Sequence, residues 1–101
     1  MSTIYYGQPV NVGSTKNLAA QTAGTQVKSG EGSLYSLTFN KPVATSVITI
    51  YDGTDTNGTK IATITTPASP MPVTLTYNTY FTTGLFVVIA TADCDLTITY
   101  K

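Results

Sequence analysis

Thr45-Ser-Val-Ile-Thr-Ile-Tyr-Asp52 and Thr59-Lys-Ile-Ala-Thr-Ile-Thr-Thr66, on either side of Gly53-Thr-Asp-Thr-Asn-Gly58, decide the fold of this chain. Each flank is rich in β-branched residues, and the segment between them is made of residues that favour turns. Two antiparallel strands joined by a loop follow. Val47 to Tyr51 carries bulk on both faces, as a central strand covered on each side does.

The same pattern continues in both directions from this hairpin. Upstream, Tyr35, Leu37 and Phe39 alternate with Ser36 and Thr38, which predicts a strand with one buried face, ended by Asn40-Lys-Pro42. Downstream, Pro67-Ala-Ser-Pro70-Met-Pro72 is too stiff for a tight hairpin and is expected to carry the chain from one sheet to another. Val73, Leu75 and Tyr77 then alternate with Thr74 and Thr76, with a turn expected near Asn78. Leu85-Phe-Val-Val-Ile-Ala90 is the most apolar run and reads as the central core strand. Leu96, Ile98 and Tyr100 alternate with Thr97 and Thr99 to close the domain. The expectation is an all-β antiparallel sandwich, immunoglobulin-like or jelly-roll, of about seven strands. A true immunoglobulin domain is disfavoured because the chain has no Trp and a single Cys.

Residues 25–101 are assigned to this sandwich and residues 1–24 to an extended N-terminal arm. Thr25 to Ser29 is the first candidate strand. The arm begins with the apolar cluster Ile4, Tyr5 and Tyr6, followed by a mostly small and polar stretch. These three residues are the candidate interaction residues, with a frayed terminus as the alternative. Removing residues 1–20 is expected to leave the sandwich folded.

Composition excludes several classes of function. At 101 residues the chain has room for one core. Charged residues make up 10% and net charge is zero, which suits a surface partly covered by neighbours better than a free monomer. All five cations are lysines, spread along the chain, so no phosphate-reading patch is visible and nucleic acid is not an expected partner. No apolar run is long enough to span a bilayer, and the first residues lack a signal-peptide pattern, so no membrane partner and synthesis in the cytoplasm are expected.

Catalytic and metal chemistry have little to work with. The chain has no His, which removes histidine-assisted triads and the usual zinc sites. Asp52, Asp55, Asp93 and Asp95 occupy turns and Glu31 lies between glycines, where solvated turn roles are the ordinary explanation. The segment Asp52-Gly-Thr-Asp55-Thr-Asn57-Gly58 has oxygen ligands of the kind calcium takes, but its spacing departs from an EF-hand, and Asn before Gly is a favoured hairpin pair. Cys94 is expected to be an inert turn thiol between two carboxylates. No catalytic, cofactor-binding or metal residue is assigned. Thr63/Thr65, Thr74/Thr76 and Thr97/Thr99 would each point to one face, an arrangement that could order water, although Thr is also simply the β-branched residue that tolerates solvent. Tyr5, Tyr6, Tyr77 and Tyr80 could line a sugar platform or serve as core and interface residues.

Gly32-Ser-Leu-Tyr-Ser-Leu, Pro42-Val-Ala-Thr-Ser-Val-Ile-Thr-Ile-Tyr-Asp-Gly-Thr, Asn57-Gly-Thr-Lys-Ile-Ala-Thr-Ile, Pro72-Val-Thr-Leu-Thr-Tyr-Asn, Phe81-Thr-Thr-Gly-Leu and Asp95-Leu-Thr-Ile-Thr-Tyr-Lys resemble the small β-sandwich structural proteins of tailed bacteriophages. The resemblance covers about residues 30–101 and leaves the arm outside. It implies a non-enzymatic virion protein, a capsid decoration (cement) protein stabilising the head. The implied partners are the major capsid protein and copies of itself in a dimer or trimer, with no cofactor. The alternatives are a carbohydrate-binding or host-adhesion module and a tail or head-tail junction component.

Overall fold

The structure, a computed structural model, describes residues 13–101. Ile4, Tyr5 and Tyr6 lie outside the described residues. Eight strands follow one another: β1 (Ser14–Leu18), β2 (Thr22–Ser29), β3 (Gly32–Lys41), β4 (Val47–Asp52), β5 (Thr59–Thr65), β6 (Val73–Phe81), β7 (Gly84–Ala90) and β8 (Asp95–Tyr100). They form two four-stranded sheets, ordered β1-β8-β3-β6 and β2-β7-β4-β5. Strand β1 pairs with β8, β2 with β7, β3 with β6 and β4 with β5, all antiparallel. The chain is thus one long hairpin, with its tip at residues 53–58, rolled up on itself. Of the two sandwich types expected, this order is the jelly roll.

The core lies between the sheets and follows from the period of two along each strand. Leu34, Leu37, Phe39, Leu96 and Ile98 come from the first sheet; Ile48, Ile50, Leu85, Val87 and Ile89 come from the second. Phe81 and Cys94 close the two ends. The β4–β5 hairpin, the central positions of β4 and β7, and the change of sheet through residues 67–72 are as the sequence predicts.

Three local expectations are corrected. The sandwich begins at Ser14, so the boundary at residue 24 falls inside β2, and residues 14–24 belong to the sheets. Leu34, fully buried, takes the inward place expected of Tyr35, because the register shifts between Leu34 and Ser36 against both β6 and β8. Asn78 does not end a strand: β6 runs on, and Tyr77 and Asn78 together oppose Tyr35 as a bulge. Asn78 has φ +50°, a left-handed conformation that Asn tolerates better than most residues, which explains why a turn and a bulge look alike in sequence. Cys94, in the 91–94 connection as expected of a turn thiol, is 1% exposed, and burial, aided by the Asp95 charge, pushes its thiol pKa up despite an opposing backbone hydrogen bond from Val43.

The antiparallel order sorts the connections to two ends of the barrel-like roll. Residues 19–21, 42–46, 66–72 and 91–94 share one end; residues 30–31, 53–58 and 82–83 share the other, together with Gly13 and Lys101.

Candidate interaction surface

The five carboxylates each accept a hydrogen bond that closes a turn or ties two segments. Asp52 receives the backbone N–H groups of Thr82 at 2.9 Å, Thr83 at 2.8 Å and Gly84 at 3.4 Å, so it caps the β6–β7 turn. Partial desolvation opposes ionisation there, but these donors prevail and hold the Asp52 pKa below its usual value. Asp55 accepts from the Asn57 N–H at 2.8 Å inside its own loop, and Asp93 accepts from the Gln21 N–H at 2.9 Å. Asp95 takes Asn17 Nδ2 at 2.7 Å and Asn40 Nδ2 at 3.1 Å, which joins β1, β8 and β3 and lowers its pKa. Glu31 accepts the Tyr80 hydroxyl at 2.5 Å; that bond, some desolvation and the charges of Glu31 and Asp52 push the phenol pKa up. The acids of the 52–58 loop therefore shape turns, and among the described residues no three His, Cys, Asp or Glu side chains gather where they could hold a metal ion.

Two surfaces are candidates for contact. The first is the seam where edge strands β5 and β6 of opposite sheets approach each other under the proline-rich crossing. Phe39, Val73 and Leu75 line it from the first sheet, Ile64 from the second, and Pro67, Pro70 and Met71 form its rim, enclosing about 420 Å³. Most of the lining is apolar, with Thr65, Thr66 and Ser69 the polar members, yet Met71 is 76% and Val73 49% exposed, and Val43, 40% exposed, lies in the neighbouring 42–46 connection. The prolines explain the opening. With Pro67, Pro70 and Pro72 lacking an N–H and fixing φ, residues 67–72 cannot fold down as a paired strand over the gap between sheets.

The second is the outer face of the first sheet. Thr15, Thr99, Ser36 and Thr76 are aligned across all four strands, and beside them run Asn17, Thr97, Thr38 and Thr74. The Thr74/Thr76 and Thr97/Thr99 pairs thus share one face, whereas Thr63/Thr65 belongs to the other sheet. The second row is internally bonded, with Thr38 and Thr74 hydroxyls 3.0 Å apart and Asn40 donating to Thr97 at 2.9 Å. The first row borders a shallow depression of about 460 Å³ bounded by Tyr35, Ser36, Thr74, Thr76, Asn78 and Thr99. Of the tyrosines suspected of forming a platform, Tyr77 packs against the core and Tyr80 is exposed beside Glu31, while Tyr5 and Tyr6 lie outside the described residues.

Sequence reasoning missed the seam because no strand announces it: it exists only where two edges meet. The one available signal was apolar Met71 and Val73 set among prolines.

Fold and site together define the class as a small jelly-roll domain with a Thr-rich sheet face and an uncharged apolar seam. Comparison of the chain with family models, with curated proteins and with solved structures gives no match. Among the described residues no helix is long and apolar enough to cross a membrane.

Proposed function

We propose that this chain is a non-enzymatic structural protein of a bacteriophage virion, a decoration protein that lies on the capsid and stabilises the head through subunit contacts. The observation that carries the reading is the seam between β5 and β6, where Met71 and Val73 leave large apolar surface uncovered on a domain with few charges. Its partners are the major capsid protein and copies of itself, as dimer or trimer, with Ile4, Tyr5 and Tyr6 as the segment that reaches a neighbour. The bacteriophage resemblance of residues 30–101 supports the virion setting. The jelly roll, used by capsid and lectin domains alike, adds only a fold-level analogy. Many weak contacts repeated over a lattice would suffice for tight binding.

A second reading, a saccharide-binding adhesion module, is favoured by the depression on the outer face, where the Tyr35 ring borders uncharged hydroxyl and amide groups. A cryo-electron microscopy map of the intact virion separates the two. Density for this domain over the shell at capsomer junctions establishes decoration. Absence from the shell, with glycan binding by the isolated protein, establishes adhesion instead.

A further inference from the structure

Edge strands are templates for further pairing, and proteins guard them with charges, bulges or cover. Three of the four edges here carry a lysine: Lys16 on β1, Lys28 on β2 and Lys60 on β5. Strand β2 is further broken by two register shifts. Strand β6, Val73-Thr-Leu-Thr-Tyr-Asn-Thr-Tyr-Phe81, is the longest of the four edges and has no charged residue. Its bulge protects only the half around Tyr77 and Asn78, and among the described residues no strand pairs with the outer side of the regular stretch from Val73 to Thr76. That unguarded stretch is also the wall of the apolar seam, with Val73 and Leu75 turned inward opposite Phe39 and Leu37.

We propose that the β6 edge and its seam receive the N-terminal arm of a second copy of this chain, added as an extended strand with Ile4 and Tyr6 in the groove. Backbone pairing with β6 supplies affinity and the alternate side chains supply specificity, as in other strand-addition complexes. Ser2-Thr-Ile-Tyr-Tyr6 is uncharged, β-branched and aromatic, the composition that such an edge accepts. A groove of about 420 Å³ is of the size that encloses small apolar ligands.

The position of Gly13 makes the donor another copy. Gly13 leads into β1, on the opposite edge of the sheet from β6 and at the opposite end of the roll from Met71. From there to the groove is about 22 Å, taking five residues along β3 and three strand spacings across the sheet. Seven to nine residues separate Gly13 from Tyr6 and Ile4, or about 24–31 Å at full extension. A chain filling its own groove would have to run nearly taut across the hydroxyl-covered outer face, with only about 2–9 Å to spare. An arm from a neighbour has no such constraint. Contact between unlike surfaces closes by reciprocal exchange or as a ring.

The proposal rests on the reading of Ile4, Tyr5 and Tyr6 as an interaction segment and not on the virion setting. The test uses the purified full chain, with sedimentation velocity over a range of concentrations and p-benzoylphenylalanine placed at position 71 for photo-crosslinking. The full chain is expected to associate, and its crosslink to join position 71 of one copy to residues 4–6 of another. Ile4→Ser with Tyr6→Ser is expected to yield monomers, and Met71→Asp to weaken association about tenfold. A monomeric full chain, a crosslink within one chain, or association that survives the Ile4 and Tyr6 changes would overturn it. A monomer that still decorates the head would overturn arm exchange alone and leave the capsid reading standing.

Discussion

Phe39 and Val73 face each other across the β3–β6 ladder, yet Phe39 is 2% exposed and Val73 49%. Both point to the interior, so orientation does not separate them. Phe39 sits on a central strand beneath the second sheet, and Val73 on an edge whose cover is missing because residues 67–72 pass over as a stiff crossing. The fold has an inner face longer than its core.

This difference can be measured. Val73→Thr, similar in shape but polar, should change folding free energy by less than about 0.5 kcal/mol, because the site is half in water already. Phe39→Ala should cost about 3–5 kcal/mol by leaving a cavity. Urea unfolding of the two variants decides it; a large cost for Val73→Thr would mean that the seam is closed in solution.

A buried polar pair at the crossing end gives a second test. Thr66 Oγ1 donates to the Val43 carbonyl at 2.5 Å and accepts the Ser46 N–H at 2.8 Å, while Ser46 Oγ donates to the Ala92 carbonyl at 2.8 Å. Thr66 and Ser46 are both buried, and one hydroxyl therefore satisfies the buried Ser46 N–H and the partly buried Val43 carbonyl. Thr66→Val keeps the shape and orphans both, at a cost of about 1–3 kcal/mol. Thr66→Ser keeps the bonds and should cost less than about 1 kcal/mol. Equal losses in the two variants would show that the methyl group, and not the hydroxyl, matters.

Acid should destabilise the domain through Asp52 and Asp95. Hydrogen bonds hold both carboxylates below their usual pKa in the folded chain, so the unfolded chain binds protons more readily. Their contribution is complete above about pH 4, the unfolded-chain value, and is lost as pH falls through the folded-state values. At neutral pH, Asp52→Asn should cost about 1 kcal/mol, at the low end for a charged acceptor because the site is open to solvent. The gap between wild type and variant should then narrow below about pH 4. Urea midpoints at pH 7 and at lower pH test this, and a gap that stays constant would remove Asp52 from the acid response.

What the sequence reveals of this fold depends on how much of each strand is buried. Strands β4 and β7 are legible because Ile48, Ile50, Leu85, Val87 and Ile89 point into the core while Val47, Tyr51, Phe86 and Val88 add apolar bulk on the partly exposed outer face. Strand β1 has four exposed residues and only Leu18 to contribute to packing, so Ser14-Thr-Lys-Asn-Leu18 looks like an arm. Strand β2 is hidden for a different reason. A Cβ at Gly24 would come within 2.1 Å of the Phe86 ring, so the position that the large Phe86 ring packs over is itself bare. The exchange of Tyr35 for Leu34 inside the core depends on a bulge shared by three strands, which no single strand's alternation encodes. The seam is further from reach still, because it depends on which edges meet; of its residues, sequence reading assigned the prolines to a change of sheet without recognising the space beneath them.

The same burial argument sets where the chain can be shortened. Strand β1 pairs with β8 through five residues, from Ser14 opposite Tyr100 to Leu18 opposite Leu96, and Asn17 bonds to Asp95 and to the Leu96 carbonyl. Removing residues 1–20 would delete this strand, uncover Leu96 and expose the edge of β8, whose sequence Asp95-Leu-Thr-Ile-Thr-Tyr100 has no lysine to guard it. Loss of the packing and pairing should cost about 2–4 kcal/mol and make the protein prone to aggregate. Removing residues 1–12 leaves every described strand in place and, at concentrations too low for association, should preserve the unfolding free energy within about 0.5 kcal/mol. Urea unfolding and light scattering of the two shortened chains distinguish these outcomes. If both chains were equally stable and soluble, β1 would be an appendage to the sandwich, and the domain would begin at β2 after all.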